Sequence, residues 1–254
     1  MLSLVLLLLI GVTSAMRLTI KPKLWLLDRD GVINADVGAP GVIRRDDLSL
    51  IPGSAGAIRR LRLAAPVAIV TNQSCRGLGL LSKADLDGIH EALRHLIAKT
   101  ARGGLASQDG RQWDAMYICE DAQLSERKKP EPGMVLEALA DFGCTPNAAV
   151  MIGDSWSDVV AAQRAGCCGV LVATGHGASL GAILSQRGVR LPTTLTAELI
   201  AADAAFGGWV AERSANEAAL IREALRTEVR VYANLLQATD ELLAQAEAAG
   251  ASNS

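Results

Sequence analysis

The sequence predicts an α/β fold, a Rossmann-like doubly wound parallel sheet with helices on both of its faces. Three observations predict it. Short apolar runs alternate with segments of helical period between residues 24 and 175. The apolar runs are continuous rather than alternating, as strands buried on both faces require. Polar residues gather just after each run, where an open parallel sheet binds its ligands.

The elements follow in order. "LWLL" (24–27) is a short strand cut off by acids, and "SAGAIRRLRLA" (54–64) has helical spacing. "VAIVTN" (67–72) is β-branched and ends in polar residues. "SKADLDGIHEALRHLIAKT" (82–100) opens on a serine that can cap a helix, and Leu86, Ile89, Leu93 and Leu96 recur on one face. "WDAMYIC" (113–119) reads as a strand, and "GMVLEALADFG" (133–143) as a helix closed by glycine. "AAVMIGDS" (148–155) is a buried strand, "DVVAAQRAG" (158–166) a helix and "CGVLVATG" (168–175) a final strand.

The chain has 254 residues with a formal net charge of -2, and half of it is hydrophobic. That length holds one sizeable domain, or a domain and an appendage. The near balance of charge leaves no electrostatic footprint for nucleic acid. Five cysteines, two of them adjacent (Cys167 and Cys168), do not make a secreted disulfide framework and are read as reduced thiols. Residues 1–15, "MLSLVLLLLIGVTSA", are apolar and uncharged. They are shorter than the ~20 residues of a membrane span. They are either a mis-assigned stretch ahead of a start at Met16 or the apolar part of a signal peptide without its preceding basic residues. The first reading makes the protein cytoplasmic, the second exported. The expected organisation is then 1–15 as this leader, 16–195 as the main domain and 196–254 as a helical C-terminal extension.

The chemistry is carried by the strand ends. Asp28 and Asp30 follow the first strand; Thr71, Asn72, Gln73 and Ser74 end or follow the second. Lys128 and Lys129 follow the third after a loop, and Asp154, Ser155 and Asp158 the fourth. Carboxylates converging on one rim repel one another and need compensation. A hard cation supplies it: Mg²⁺ takes oxygen ligands and commonly joins one or two carboxylates to a substrate phosphate. Thr71 and Lys129 supply the hydroxyl and the fixed positive charge that a phosphate needs. A carboxylate so placed can attack phosphorus and form an aspartyl-phosphate. Asp28 is the candidate nucleophile. Asp30, two residues on and on the same side of an extended chain, is the candidate proton shuttle. Gly31 lets the backbone turn away.

"LLDRDGVIN", "IVTNQS", "KKPEPGM" and "MIGDSWSDVVAAQRAG" resemble the four ordered motifs of the haloacid dehalogenase (HAD) superfamily. More narrowly, "DRDGVIN", "IPGSAGAIRRL", "TNQS" and "KPEPGM" look like the D-glycero-D-manno-heptose-1,7-bisphosphate 7-phosphatases and the related histidinol-phosphatases. The resemblance covers roughly residues 22–177. It implies that Asp28 is nucleophile and Mg²⁺ ligand, and that Asp30 is acid/base and binds Mg²⁺ through its backbone carbonyl. It implies that Thr71 and Lys129 hold the phosphoryl group, that Asp154 is the third protein ligand, and that Asp158 stands behind the metal. Asp36 to Ala39 and Asn72 to Ser74 match substrate-contacting stretches; Lys128 and Ser155 are further substrate-side candidates. The short intervals between motifs leave no room for a large mobile cap, so a capless enzyme is expected.

The heptose phosphatases usually carry a zinc loop before the lysine motif. Here the loop reads "YICEDAQLSERKKPEPGM", with Cys119 at the first ligand position, Asp121 in place of the histidine, and no further cysteine before Lys129. One thiol cannot build a tetrahedral structural site, so no zinc is expected. His90 and His95 are read as core or surface groups, while His176 can face the rim. In the extension, Ile221, Leu225, Val229, Tyr232, Leu236 and Leu243 form a stripe at helical spacing. That helix either packs on the main domain or forms a coiled coil that makes a homodimer.

The leading expectation is an Mg²⁺-dependent phosphomonoesterase acting on a small phosphorylated metabolite, a sugar phosphate above all. The alternatives are a 3′-phosphatase on nucleic-acid ends, against which the charge balance speaks, and a non-catalytic binding module, against which the filled catalytic positions speak. No membrane partner is expected.

Overall fold

The computed structural model describes residues 20–100 and 110–251; both readings of residues 1–15 lie outside the described residues. Strand β1 (Leu24–Leu27) has all four side chains buried. It leads through a long turn to helix α1 (Ser54–Ala64), then strand β2 (Val67–Asn72). One turn of helix, α2 (Ser74–Gly77), precedes the long α3 (Lys83–Thr100). Strand β3 (Ala115–Cys119), helix α4 (Gly133–Asp141), strand β4 (Ala149–Gly153), helix α5 (Trp156–Arg164) and strand β5 (Cys168–Val172) complete the part read from the sequence. The expected helix start at Ser82 is borne out: its hydroxyl accepts the Asp85 N–H at 3.1 Å.

The strands after β5 are β6 (Thr193–Leu195) and β7 (Val229–Tyr232). All seven form one sheet in the order β3-β2-β1-β4-β5-β7-β6, parallel throughout except for β6 against β7. Strand pleating sorts the core. Trp25, Leu27, Val67, Ile69, Val150 and Ile152 join one apolar cluster, while Leu24, Leu26, Ala68, Val70, Ala149 and Met151 join the other. Each face thus needs its own helical cover, α1 and α3 on the first, α4 and α5 on the second. The chain builds outward from β1 to β2 and β3, then returns to start again at β4. That reversal opens a crevice at the carboxyl ends of β1 and β4. Between Asp28 and Thr71 stand the turn and α1; between Thr71 and Lys129 stand α2, α3 and β3.

The segment after residue 195 corrects the sequence reading. It is not a helical appendage. Helices α6 (Ala178–Gln186), α7 (Ala197–Ala202), α8 (Ala204–Ala211), α9 (Ala215–Ala224) and α10 (Leu235–Ala251) surround β7, which sits inside the sheet beside β5. Val229 and Tyr232, placed on a helical stripe, are strand residues; the valines of "VRVY" alternate with Arg230, a β signature inside an Ala-rich tail. Arg230 is buried as well, its guanidinium donating to Gln245 Oε1 at 2.5 Å and to the Tyr232 hydroxyl at 3.2 Å. Helix α10 packs Leu235, Ala238 and Leu242 into the cluster that also holds Ile58 and Leu61 of α1, and Arg60 pairs with Asp240 across the same contact.

One consequence is testable. Truncation before Ala215 removes five branched aliphatic side chains that are at most 1% exposed: Ile221, Val229, Val231, Leu235 and Leu242. Their burial stabilises the fold by on the order of 10 kcal/mol, as much as the whole net stability of a typical domain. The truncated chain is expected to lose its cooperative thermal transition in circular dichroism, not merely its oligomeric state. A truncated protein with an unchanged melting curve would contradict the packing.

Candidate active site

The crevice at the strand ends is a cleft of about 570 Å³. Asp28, Asp30, Asp36, Thr71, Asn72, Gln73, Ser74, Lys129, Asp154 and Ser155 all line it, so the structure brings nearly all of the predicted site residues to one place.

Asp28 stands one residue past β1, its N–H bonded to the Ile152 carbonyl of β4 at 3.0 Å. Lys129 reaches under it. The ammonium, 4% exposed, donates to the Val70 carbonyl at 2.8 Å and forms ion pairs with Asp28 Oδ1 at 3.0 Å and Asp158 Oδ1 at 2.5 Å. Burial opposes its charge, but the two carboxylates more than offset this and hold its pKa above the ordinary value.

Asp154 comes off β4. It is gripped by backbone that only glycine permits. Gly31 has φ +76°, and a Cβ there would lie 2.0 Å from Asp154 Oδ2; Gly175 has φ +50° and would meet the same atom at 2.1 Å. The His176 N–H donates to that oxygen at 2.7 Å. Carboxylate oxygens of Asp28, Asp154 and Asp158 lie within 4.8 Å of one another. Burial pushes Asp154 up to about 9, helped by the charges of Asp28 and Asp158. Burial likewise pushes Asp28 up to about 7, with Lys129 opposing and Asp158 and Asp30 adding to it. Charges so arranged are a hard-oxygen set short of one cation, and they fit Mg²⁺. Asp158 has less to offer a metal. Its Oδ2 accepts the Ser155 hydroxyl at 2.6 Å and the Ser155 N–H at 3.0 Å, closing the capping box of α5, while Oδ1 faces Lys129. It positions the lysine.

Asp30 points away from the other acids. Arg29, fully buried, forks onto it from Nη2 at 2.8 and 2.9 Å and from Nε at 3.2 Å. Asn34 Nδ2 donates to its Oδ1 at 2.8 Å and Gln73 Nε2 to its Oδ2 at 3.0 Å. Burial alone would raise its pKa; the Arg29 charge and these hydrogen bonds outweigh it and hold the carboxyl below the ordinary value. On its far side, Arg29 Nη1 lies 3.0 Å from His90 Nε2 on α3. Burial and the Arg29 charge lower His90 to about 4, so the neutral ring accepts from the guanidinium. His90 is therefore a core group, one of the two roles that its helical position allowed.

Several expected substrate contacts are committed elsewhere. The Asn72 amide clamps the Lys129 backbone, donating to its carbonyl at 3.0 Å and accepting its N–H at 3.1 Å. Gln73 Nε2 spans Asp30 and the Thr71 hydroxyl, which it meets at 3.0 Å. The Ser74 hydroxyl donates to the Asp121 carbonyl at 3.1 Å. Lys128 is placed outside the cleft lining: its ammonium donates to the Ala122 carbonyl at 2.7 Å, within its own loop. That loop closes on polar contacts, with the Cys119 thiol 3.4 Å from Asp121 Oδ2 and 3.7 Å from Ser125 Oγ.

Sequence reading missed Arg29, Asn34 and Glu217. The first two sit inside the "DRDGVIN" motif and could have been suspected from an arginine between two acids. Glu217 and Leu220 of α9 line the cleft from the segment regarded as an appendage, and no local signal marks them.

A parallel sheet that presents, at its point of reversal, an unsaturated acid set around a buried lysine defines a hydrolase of phosphate esters. Comparison with known proteins gives the family. The family model described as HAD-hydrolase-like matches residues 126–196. A D-glycero-D-manno-heptose-1,7-bisphosphate 7-phosphatase of Thermosynechococcus vestitus is 36% identical over 164 residues, 59% of this chain and 79% of that protein. A D-glycero-beta-D-manno-heptose-1,7-bisphosphate 7-phosphatase of Bordetella bronchiseptica is 35% identical over 182 residues, 70% of this chain and 94% of that protein. The crystal structure of D,D-heptose 1,7-bisphosphate phosphatase from B. bronchiseptica, complexed with magnesium and phosphate, aligns with a TM-score of 0.62 at 27% identity, covering 88% of this chain and 99% of that one. The chain belongs to the HAD-like phosphatases and is a phosphoric monoester hydrolase.

Proposed function

We propose that the protein hydrolyses a small sugar phosphate, with the heptose 1,7-bisphosphate named for its relatives as the first substrate to test. The observation that carries this reading is the Asp28 carboxylate, exposed to the cleft and backed by Lys129. Asp28 attacks phosphorus in line with the leaving oxygen, and its bond to phosphorus forms as the ester bond breaks. Thr71 and Lys129 hold the phosphoryl oxygens. Asp30 relays the proton between the leaving alkoxide and the water that cleaves the aspartyl-phosphate; because Arg29 and its hydrogen bonds favour the ionised form, it must take up a proton before it acts as the acid. The Gln73 amide and the Arg29 fork keep Asp30 aimed. Asp28, Asp154 and the Asp30 backbone carbonyl would hold Mg²⁺, which supplies charge neutralisation of the phosphate when bound. Asp36 and Ser155 line the same cleft and are candidate polar contacts for the sugar. The reading includes no structural zinc, since the 119–128 loop is closed by its own hydrogen bonds.

The test is a screen of phosphate monoesters, with and without Mg²⁺, that includes sugar mono- and bisphosphates, histidinol phosphate and a 3′-phosphorylated oligonucleotide. Turnover confined to the oligonucleotide would defeat the sugar reading, and about one zinc per chain in elemental analysis would defeat its zinc-free part.

A second check needs no substrate. In chelated protein, Asp28 and Asp154 have pKa values of about 7 and about 9 against an ordinary 3.8. The folded state therefore binds more protons than the unfolded state across that interval, and stability falls as pH rises from about 4 to about 9. A bound cation removes the penalty. The gain in melting temperature on adding Mg²⁺ is expected to be larger at pH 8 than at pH 5 in thermal scans; a gain independent of pH would argue that these carboxylates do not receive the ion.

A further inference from the structure

One wall of the cleft belongs to the last third of the chain. Glu217 and Leu220 of α9 line the same cleft as Trp156 and Ser157, the first residues of α5. Helix α9 is fastened to α5 along its length. Arg164 forks onto Glu223 at 2.7 and 2.9 Å, and Gln163 Nε2 donates to the Ala224 carbonyl at 2.9 Å. Ala218, Ile221 and Ala224 share an apolar cluster with Trp156, Val159 and Val160. Helix α5 in turn begins at Ser155 and Asp158, so α9 is held in register with the catalytic rim by one packed unit.

What distinguishes Glu217 is that its carboxylate is uncommitted. Asp28 and Asp158 face Lys129; Asp30 accepts from Arg29, Asn34 and Gln73; Asp154 accepts the His176 N–H; Asp36 accepts the Gly38 N–H at 3.0 Å. The Glu217 carboxylate has no hydrogen bond or ion pair among the described residues, although the Ser214 hydroxyl caps its N–H at 3.2 Å. A carboxylate is acceptor-only, with room for several donors. It repels a phosphate and welcomes hydroxyl groups. Leu220, one turn along, gives the same wall an apolar part against which carbon can rest.

We propose that Glu217 is a specificity-determining residue that accepts hydrogen bonds from the hydroxyl groups of a polyhydroxylated leaving group whose phosphate sits at Asp28. The inference rests on the sugar-phosphate reading and deepens it: it assigns the sugar-facing wall to the C-terminal segment.

The experiment compares kcat/KM for a sugar phosphate with kcat/KM for p-nitrophenyl phosphate, whose leaving group bears no such hydroxyls. Glu217→Ala is expected to lower the ratio of the two by about tenfold or more, the worth of hydrogen bonds to a charged acceptor, with the loss carried by KM for the sugar. Glu217→Gln keeps the shape and one accepting oxygen, so it is expected to retain more of the ratio than Glu217→Ala. Asn216→Ala, exposed on the same helix and outside the cleft, controls for disturbance of α9. A ratio unchanged in both Glu217 variants, or an equal loss on both substrates, would overturn the inference. A wild-type protein active on the aryl ester but on no sugar phosphate would overturn the sugar reading itself and this inference with it.

Discussion

Asp28→Asn is expected to lower turnover on any phosphate monoester by on the order of 10⁴-fold or more, as removal of an attacking group does elsewhere, and to leave the fold intact. The two halves of that expectation have separate causes. The amide keeps the shape of the carboxyl but cannot form the aspartyl-phosphate. Stability is spared because Asp28 is held in its folded position against its own charge: burial lifts its pKa to about 7 despite the adjacent lysine. Neutralising it removes repulsion with Asp154 and Asp158, and Lys129 keeps Asp158 as a partner. Steady-state kinetics and a melting curve on the same preparation check both halves. Residual turnover near wild type would remove Asp28 from the nucleophile's place; a collapse of the melting transition would show that its role is structural.

Lys129→Met, in contrast, should lose stability as well as activity. The ammonium is the countercharge for two buried acids, and Asp158 is fully buried. Removing one partner of a buried pair costs about 3–5 kcal/mol, because the other charge is left uncompensated. In a chain of this size that corresponds to a fall in melting temperature on the order of 10 °C. Loss of a positive group from the phosphoryl site should also cut kcat by about 10²–10³-fold, as for other donors to a developing oxyanion. Because unpaired carboxylates take up protons, the variant should recover part of its stability as pH is lowered. A Lys129→Met protein with wild-type melting behaviour would mean that Asp28 and Asp158 are solvated or neutral, contrary to the packing. The two variants remove the two ends of one ion pair, and only the second is expected to lose stability, which makes them more informative together than either alone.

The role of Asn72 shows how a motif residue can be read correctly in place and differently in purpose. The sequence puts it beside Thr71, at a strand end, where a substrate contact is a natural expectation. The fold places the Lys129 backbone against it, and a primary amide facing a peptide unit satisfies both of its groups at once. Lys128 shows the same in a loop: a carbonyl of that loop takes its ammonium.

The sequence by itself determined the first five strands, the helices between them, and the rim on which Asp28, Asp30, Thr71, Lys129 and Asp154 meet. Those elements carry continuous apolar runs, two of their helices open on a capping serine, Ser82 and Ser155, and their motifs are local, so each strand end announces its own polar residues. What only the tertiary structure decided lies where the signal is non-local. "VRVY" is four residues long within an Ala-rich tail, and its identity as a strand depends on the free edge of β5, more than fifty residues earlier. The partners of Arg29 are Asp30, adjacent in the chain, and His90, which only the packing of α3 on the sheet brings near. Glu217 reaches the cleft because α9 is bolted to α5 by Arg164 and Gln163. Hydrophobic period and capping are written over a few consecutive residues; an ion pair, a strand at a sheet edge and a cleft wall exist only once distant segments have been buried together.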